Sequence, residues 1–141
     1  MISVIGLGNG ASAIAEKFSH IPQYNVYLMN SKIARNSKYK FKLKAYETPE
    51  EYESNVPDVR KFFTALDEKI QIFVVGSAYA TNYVLGILQQ IKAKKIEIFY
   101  IQPDVELLSG IPKLQEATAF GVLQEYARSG LFESVTLMSN L

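Results

Sequence analysis

The residues best suited to chemistry stand at the start of the chain: Val4-Ile5-Gly6-Leu7-Gly8-Asn9-Gly10-Ala11-Ser12-Ala13. A β-rich run ends in Gly6, glycines alternate through Gly10, and helical spacing begins near Ala11. Glycine permits positive φ and lets the backbone approach a ligand closely. A helix N-terminus behind such a turn supplies unpaired N–H groups and the positive end of the helix dipole, which together suit a phosphate. Ser12 adds a hydroxyl donor. The chemistry implied is nucleotide binding at Gly6, Gly8, Asn9, Gly10, Ala11 and Ser12. The alternative is a tight strand-to-helix turn that holds nothing. A dinucleotide site would read Gly6-x-Gly8-x-x-Gly with Ala11 tolerated at the third position, and would want an acid after the second strand for the ribose. That position is Asn30, followed by Ser31 and Lys32, an end that suits a 2′-phosphate. One reading is therefore a small NADP-binding Rossmann domain using Gly6, Gly8, Ala11, Ser31 and Lys32, although the length leaves no separate catalytic domain for a dehydrogenase.

The remaining catalytic inventory is thin. His20 is the one histidine and cysteine is absent, so no disulfide, cysteine–histidine couple or histidine-cluster metal site can be built. His20, near a helix end, reads as a surface cap. Asp104 and Glu106 follow a strand at the usual ligand edge and read as solvated loop acids before they read as Mg²⁺ ligands. Tyr79, Tyr83 and Tyr126 read as core or interface aromatics. No catalytic or metal-ligating residue is assigned.

These residues need elements to position them, and two patterns alternate along the chain. Short β-rich runs occur at Ile2–Ile5, Asn25–Met29, Ile70–Val75, Ile96–Ile101 and Ser134–Met138. Helical spacing occupies Ala11–Phe18, Val56–Leu66, Tyr83–Lys94 and Pro112–Arg128. The third helix places Tyr83, Val84, Ile87, Leu88 and Ile91 along one stripe, and the second places Phe62, Phe63 and Leu66 on one side. Strands alternating with helices mean βαβ units, and strands that are apolar throughout mean a sheet covered on both faces. The fold class is α/β, a Rossmann-like three-layer sandwich with a mainly parallel sheet, in one domain spanning 1–141.

Composition sets the outer limits. The 141 residues are 48% hydrophobic and 21% charged, enough for one core that buries about two-thirds of the unfolded surface. Lys and Arg total 15 against 14 acids, a balance that argues against nucleic acid and membrane surfaces as partners. No apolar run approaches the roughly 18 residues of a membrane span, and the start shows no signal peptide. A soluble, cytoplasmic domain is expected, and its end directly after a strand also fits a piece of a longer protein. One segment breaks the pattern. Between Ser31 and Lys44 lie Lys32, Arg35, Lys38, Lys40, Lys42 and Lys44 with no acid, and Glu47, Glu50, Glu51 and Glu53 follow. Because Lys38–Lys44 alternates lysine with Tyr39, Phe41 and Leu43, a strand there puts the charge on one face. It reads first as an edge strand whose lysines deter edge-to-edge pairing, and second as a contact strip for phosphates or an acidic partner.

Read in order, the chain resembles the nucleotide-binding half of the tubulin/FtsZ family. Val4–Ala13 is similar to that family's opening VIGVGGGGSNAV, and Asn30-Ser31 stands where its second strand ends in Asn-Thr-Asp. Val56-Pro57-Asp58-Val59-Arg60, then Ile72-Phe73-Val74-Val75-Gly76, follow in the order of the family's helix and VFVTAG strand. Gln102-Pro103, Ser109-Gly110, Ala117 and the closing Leu137-Met138-Ser139-Asn140 match later landmarks. The departures matter more. The family's glycine-rich phosphate loop is here the shorter Gly76-Ser77-Ala78-Tyr79-Ala80-Thr81-Asn82, with a bulky ring at Tyr79. Its ribose Glu and Arg fall at Ser109 and Lys113, and its Asp after the second strand falls at Lys32. Asn140 keeps the place of the residue that reads guanine. The family's hydrolytic acids come from a loop of the neighbouring subunit, in a half that this chain does not carry.

The resemblance implies a degenerate tubulin/FtsZ-like domain acting as a structural or assembly component through protein–protein contacts or self-association, with hydrolysis lost and no cofactor required. An alternative keeps GTP or GDP at Gly6–Ser12 with Asn30 and Asn140. The NADP-binding domain is the other.

Overall fold

The computed structural model describes residues 1–46, 51, 54–75, 84–91, 95–102 and 134–139. Six strands form: β1 (Ile2–Leu7), β2 (Tyr24–Asn30), β3 (Lys40–Lys42), β4 (Lys69–Val75), β5 (Lys95–Gln102) and β6 (Ser134–Ser139). They make one sheet in the order β3-β2-β1-β4-β5-β6, and every neighbouring pair is parallel. This is the doubly wound order, in which the chain builds outward from β1 in one direction and then from β4 in the other. The β-rich runs extend one or two residues beyond the sequence expectation, and β3 adds a short edge strand inside the lysine segment.

Side-chain alternation divides the sheet into two faces. Ile5, Leu7, Tyr27, Met29, Ile72, Val74, Ile98 and Tyr100 belong to the larger core cluster. Val4, Leu28, Phe73 and Ile101 belong to the smaller one. Helix α1 (Asn9–Glu16), continued by a 3₁₀ turn over Lys17–His20, covers the smaller cluster with Ala11 and Ala15. Helix α2 (Val84–Gln90) covers the larger one. Of the expected stripe, Val84, Ile87, Leu88 and Ile91 are buried there, and Tyr83 lies outside the described residues. With both faces covered, the arrangement is the expected three-layer sandwich.

The expected helix over 56–66 does not form. That segment is a run of turns from 60 to 65, and its Phe63 and Leu66 still reach the larger core with the half-buried Phe62. Pro57 brings no N–H, and side-chain pairing takes up the neighbouring backbone. The Val59 N–H donates to Gln90 Oε1 at 2.8 Å, while Gln90 Nε2 donates to the Pro57 and Gly86 carbonyls at 2.9 and 3.2 Å. One helix-type bond remains, from the Phe63 N–H to the Val59 carbonyl at 2.9 Å. The helix expected over 112–128 lies outside the described residues.

The amino ends of the central strands are tied by a network the sequence did not announce. Ser3 on β1, fully buried, donates through Oγ to Asp67 Oδ2 at 2.9 Å and accepts the Asp67 N–H at 3.0 Å. Asn25 on β2 donates to the same carboxylate oxygen at 2.9 Å. Beside it, Tyr27 has its phenol pushed up by burial, with Tyr39 and Asp67 adding to the effect. Asp67→Ala strands the buried Ser3 hydroxyl, and a loss of about 1–3 kcal/mol is expected, read as a lower midpoint in denaturant unfolding.

At the surface, Arg60 grips Asp58 through Nε and Nη2 at 3.0 and 2.8 Å and through its own N–H at 3.1 Å. These bonds lower the Asp58 carboxyl from 3.8 to about 2. Because the folded value lies below the ordinary one, the turn's contribution is complete above the ordinary carboxylate range and fades as pH falls toward 2. A carboxyl NMR titration of Asp58 should show a midpoint near 2, and Arg60→Gln should move it back up.

Candidate functional site

The carboxyl edge of the sheet, between β1 and β4, is where the strand order reverses and where open α/β sheets take ligands. A single residue, Gly8, links β1 to α1, and its φ of 100° and ψ of 169° lie in a region that side chains all but exclude. Its N–H donates to the Met29 carbonyl on β2 at 2.7 Å, and its carbonyl accepts the Ser12 N–H at 2.9 Å, the first bond of α1. The N–H groups of Asn9, Gly10 and Ala11 therefore stand ahead of the helix ladder. Among the described residues no side chain caps this end, and no acid lies in the first turn to meet the positive end of the dipole.

Close approach of α1 to β1 requires Gly6. A Cβ there would lie 2.7 Å from Ser12 Cα and 2.8 Å from both the Ala11 carbonyl oxygen and Ala15 Cβ. Gly6 thus serves packing, and Ser12 serves the same contact. Its buried hydroxyl is 3.2 Å from the Gly6 carbonyl and 3.5 Å from the Met29 carbonyl, donating into the β1–β2 backbone rather than outward. Ala11 is likewise buried beneath the turn, whereas Asn9 and Gly10 are exposed.

The end of β2 joins the same edge. Asn30 is buried, and its Oδ1 accepts the N–H groups of Lys32 and Ile33 at 3.0 Å each, shaping the loop that follows. That acceptor is engaged by the chain itself. Asn9 Nδ2 donates to Ser31 Oγ at 3.4 Å, linking the two turns. Beyond Asn30 lies a cavity of about 470 Å³ with Lys32, Arg35 and Lys40 on its walls and Glu16 as its one acid. The structure thus brings Gly8, Asn9, Gly10, Ala11, Ser31 and Lys32 to one edge, with Gly6, Ser12 and Asn30 supporting them from beneath. Asn140, the loop 76–82, and the acids Asp104 and Glu106 lie outside the described residues. Arg35 and Lys40 were not singled out as site residues from the sequence, where the evenly spaced lysines hid which two would meet Lys32. Among the described residues no group of three or more His, Asp or Glu side chains is placed to hold a metal.

No family model matches the chain, and no curated protein matches it. Among solved structures, a short-chain dehydrogenase/reductase from Burkholderia vietnamiensis is similar with a TM-score of 0.51 and 10% identity, over 98% of this chain and 82% of that one. At that identity the likeness speaks for the fold alone: the chain has a Rossmann-like α/β fold.

Three substitutions test the backbone of this turn and the loop after β2. Gly8→Ala forces a side chain into the positive-φ conformation and should destabilise by about 1–3 kcal/mol. Asn30→Asp keeps the acceptor for the two loop N–H groups and should unfold close to the parent, whereas Asn30→Ala should cost about 0.5–2 kcal/mol, by analogy with lost helix caps. Thermal unfolding of the three variants checks both.

Proposed function

We propose that the chain is a nucleotide-binding Rossmann module whose preferred ligand is a dinucleotide carrying a 2′-phosphate, of the NADP type. The observation that carries this reading is the pairing of two features at one edge. The uncapped N-terminus of α1 behind Gly8 takes the pyrophosphate, and an end of β2 without an acid takes the phosphorylated ribose. The N–H groups of Asn9, Gly10 and Ala11 face the pyrophosphate oxygens, where the dipole favours negative charge. Ser31 offers a hydroxyl and Lys32 an ammonium to the 2′-phosphate, with Arg35 on the same cavity wall. The end of β2, Asn30-Ser31-Lys32, has no acid in the place that usually accepts the ribose 2′-hydroxyl, so NADH is disfavoured. The likeness to a structure named as a dehydrogenase/reductase favours this reading over a guanine nucleotide. The role proposed is binding, and no residue is assigned to turnover.

A tubulin/FtsZ-like module that holds GTP or GDP at the same turn is the second reading. It rests on the order of motifs along the chain and uses the same glycine turn, so competition distinguishes the two. Binding of NADPH, NADH, GTP and GDP is measured by calorimetry and thermal shift. A ligand at 100 times its dissociation constant stabilises by about 2.7 kcal/mol, enough for a shift of several degrees. NADPH should bind at least tenfold more tightly than NADH, and Lys32→Glu should erase that preference while leaving the fold intact. A shift with GTP or GDP alone would favour the guanine-nucleotide reading. No shift with any nucleotide would overturn both, and self-association in sedimentation would then point to a domain kept for its surface.

A further inference from the structure

Buried hydroxyl groups in folded proteins are nearly always bonded, to protein, to water or to a ligand. Tyr27, in the middle of β2 and 2% exposed, carries one that is not bonded within the chain. Its ring packs on Tyr39, Phe62 and Phe63, yet among the described residues no group hydrogen-bonds its hydroxyl. Asp67, whose charge acts on the phenol, bonds Ser3 and Asn25 instead. Burial pushes the phenol up, so the group stays protonated and keeps a proton to donate.

Tyr27 lines a cavity of about 200 Å³, walled by Ser37 and Lys38 ahead of β3 and by Lys61, Phe62 and Thr64 in the turns after Val59. None of the residues lining it is an acid. Lys38 and Lys61 are exposed. The Lys38 Nζ lies 5.3 Å from the centre of the Tyr39 ring. Lys61 acts on Asp58, a carboxylate that Arg60 already bonds through its side chain and its own N–H. The Thr64 hydroxyl is spent on the Lys61 carbonyl at 2.7 Å, which leaves Tyr27 and Ser37 as the neutral donors. Two ammonium groups and a buried donor, with no acid among them, suit an oxyanion. The Phe62 ring suits an apolar body, and roughly 150 Å³ is enough for a benzene ring.

We propose that this cavity binds a small aromatic anion, a carboxylate or phosphate on a single ring. Lys38 and Lys61 meet the oxyanion, the Tyr27 hydroxyl donates to it, and the ring lies against Phe62. The site is separate from the glycine turn. Tyr27 belongs to the larger core, on the face away from α1. Because Leu28 pairs with Lys40, Lys38 stands two residues further toward the amino side of the sheet. Binding there requires no nucleotide at Gly8.

The test titrates the full chain with benzoate and phenyl phosphate, followed by amide NMR shifts and calorimetry, with inorganic phosphate and benzyl alcohol as controls. Both aryl anions should saturate, with shifts at Tyr27, Lys38, Lys61 and Phe62, and the tighter of the two identifies the oxyanion. Each control, lacking the ring or the charge, should bind at least tenfold more weakly. Tyr27→Phe keeps the ring and removes an unbonded hydroxyl, so it should unfold no earlier than the parent while losing the aryl anions at least fivefold. The double variant Lys38→Gln, Lys61→Gln, exposed at both positions and so expected to fold, should lose them at least tenfold. Failure of both aryl anions to saturate overturns the proposal, as do shifts confined to residues 8–12. Undiminished binding by Tyr27→Phe, or benzyl alcohol binding as well as benzoate, overturns it too.

Discussion

The close seating of α1 on β1 is the contact on which the rest of the carboxyl edge depends. It is possible because Gly6 has no Cβ to meet Ser12, Ala11 and Ala15. Once seated, the helix is held by polar bonds that cross to β2: the Gly8 N–H and the Ser12 hydroxyl both reach the Met29 carbonyl. One carbonyl thus joins the end of β1, the start of α1 and the end of β2. The N–H groups of Asn9, Gly10 and Ala11, ahead of the helix ladder, therefore stand at the sheet edge.

The two faces of the sheet are unequally covered. Toward α2 the core is continuous, from Leu43 and Val59 across to Ile98 and Tyr100. Toward α1 it is a smaller cluster resting on Ala11 and Ala15, small residues that bring the helix close. The aromatic pairs follow this division. Tyr27, Phe62 and Phe63 meet edge-on or tilted in the larger core, whereas Phe18 packs on Tyr24 and Phe73 beneath the 3₁₀ turn. The opposite, amino end of the sheet is closed by a carboxylate rather than by apolar contact, with Asp67 holding β1 and β2 together through Ser3 and Asn25.

The charge distribution follows from the topology. A chain with nearly balanced charge places its cations around β3 because β3 is the edge strand and its neighbour loop has no helix to bury. The expectation of a charged strand face at Lys38–Lys44 agrees with the register, which sets Lys40 and Lys42 on one face and Phe41 on the other.

Much was legible in the sequence. Periodicity and the run of apolar strands determined an α/β fold with a parallel sheet, and the glycine spacing marked the turn after β1. Local pattern carries this information because burial on both faces makes most residues of the central strands apolar, and because few residues tolerate a φ of 100°. The roles inside that turn were not legible. Gly6 and Ser12 read as ligand contacts, and only tertiary packing shows that α1 consumes them. Asn30 read as a base or ribose contact, yet the loop folding back on it uses its oxygen. The expected helix over 56–66 gives way to turns in which Gln90, distant in sequence, bonds the Val59 N–H and the Pro57 carbonyl. The sequence by itself determined which elements form and where glycine must stand. The tertiary structure decided which polar atoms remain available, because a hydrogen-bonding atom can be spent on a partner that only folding brings near.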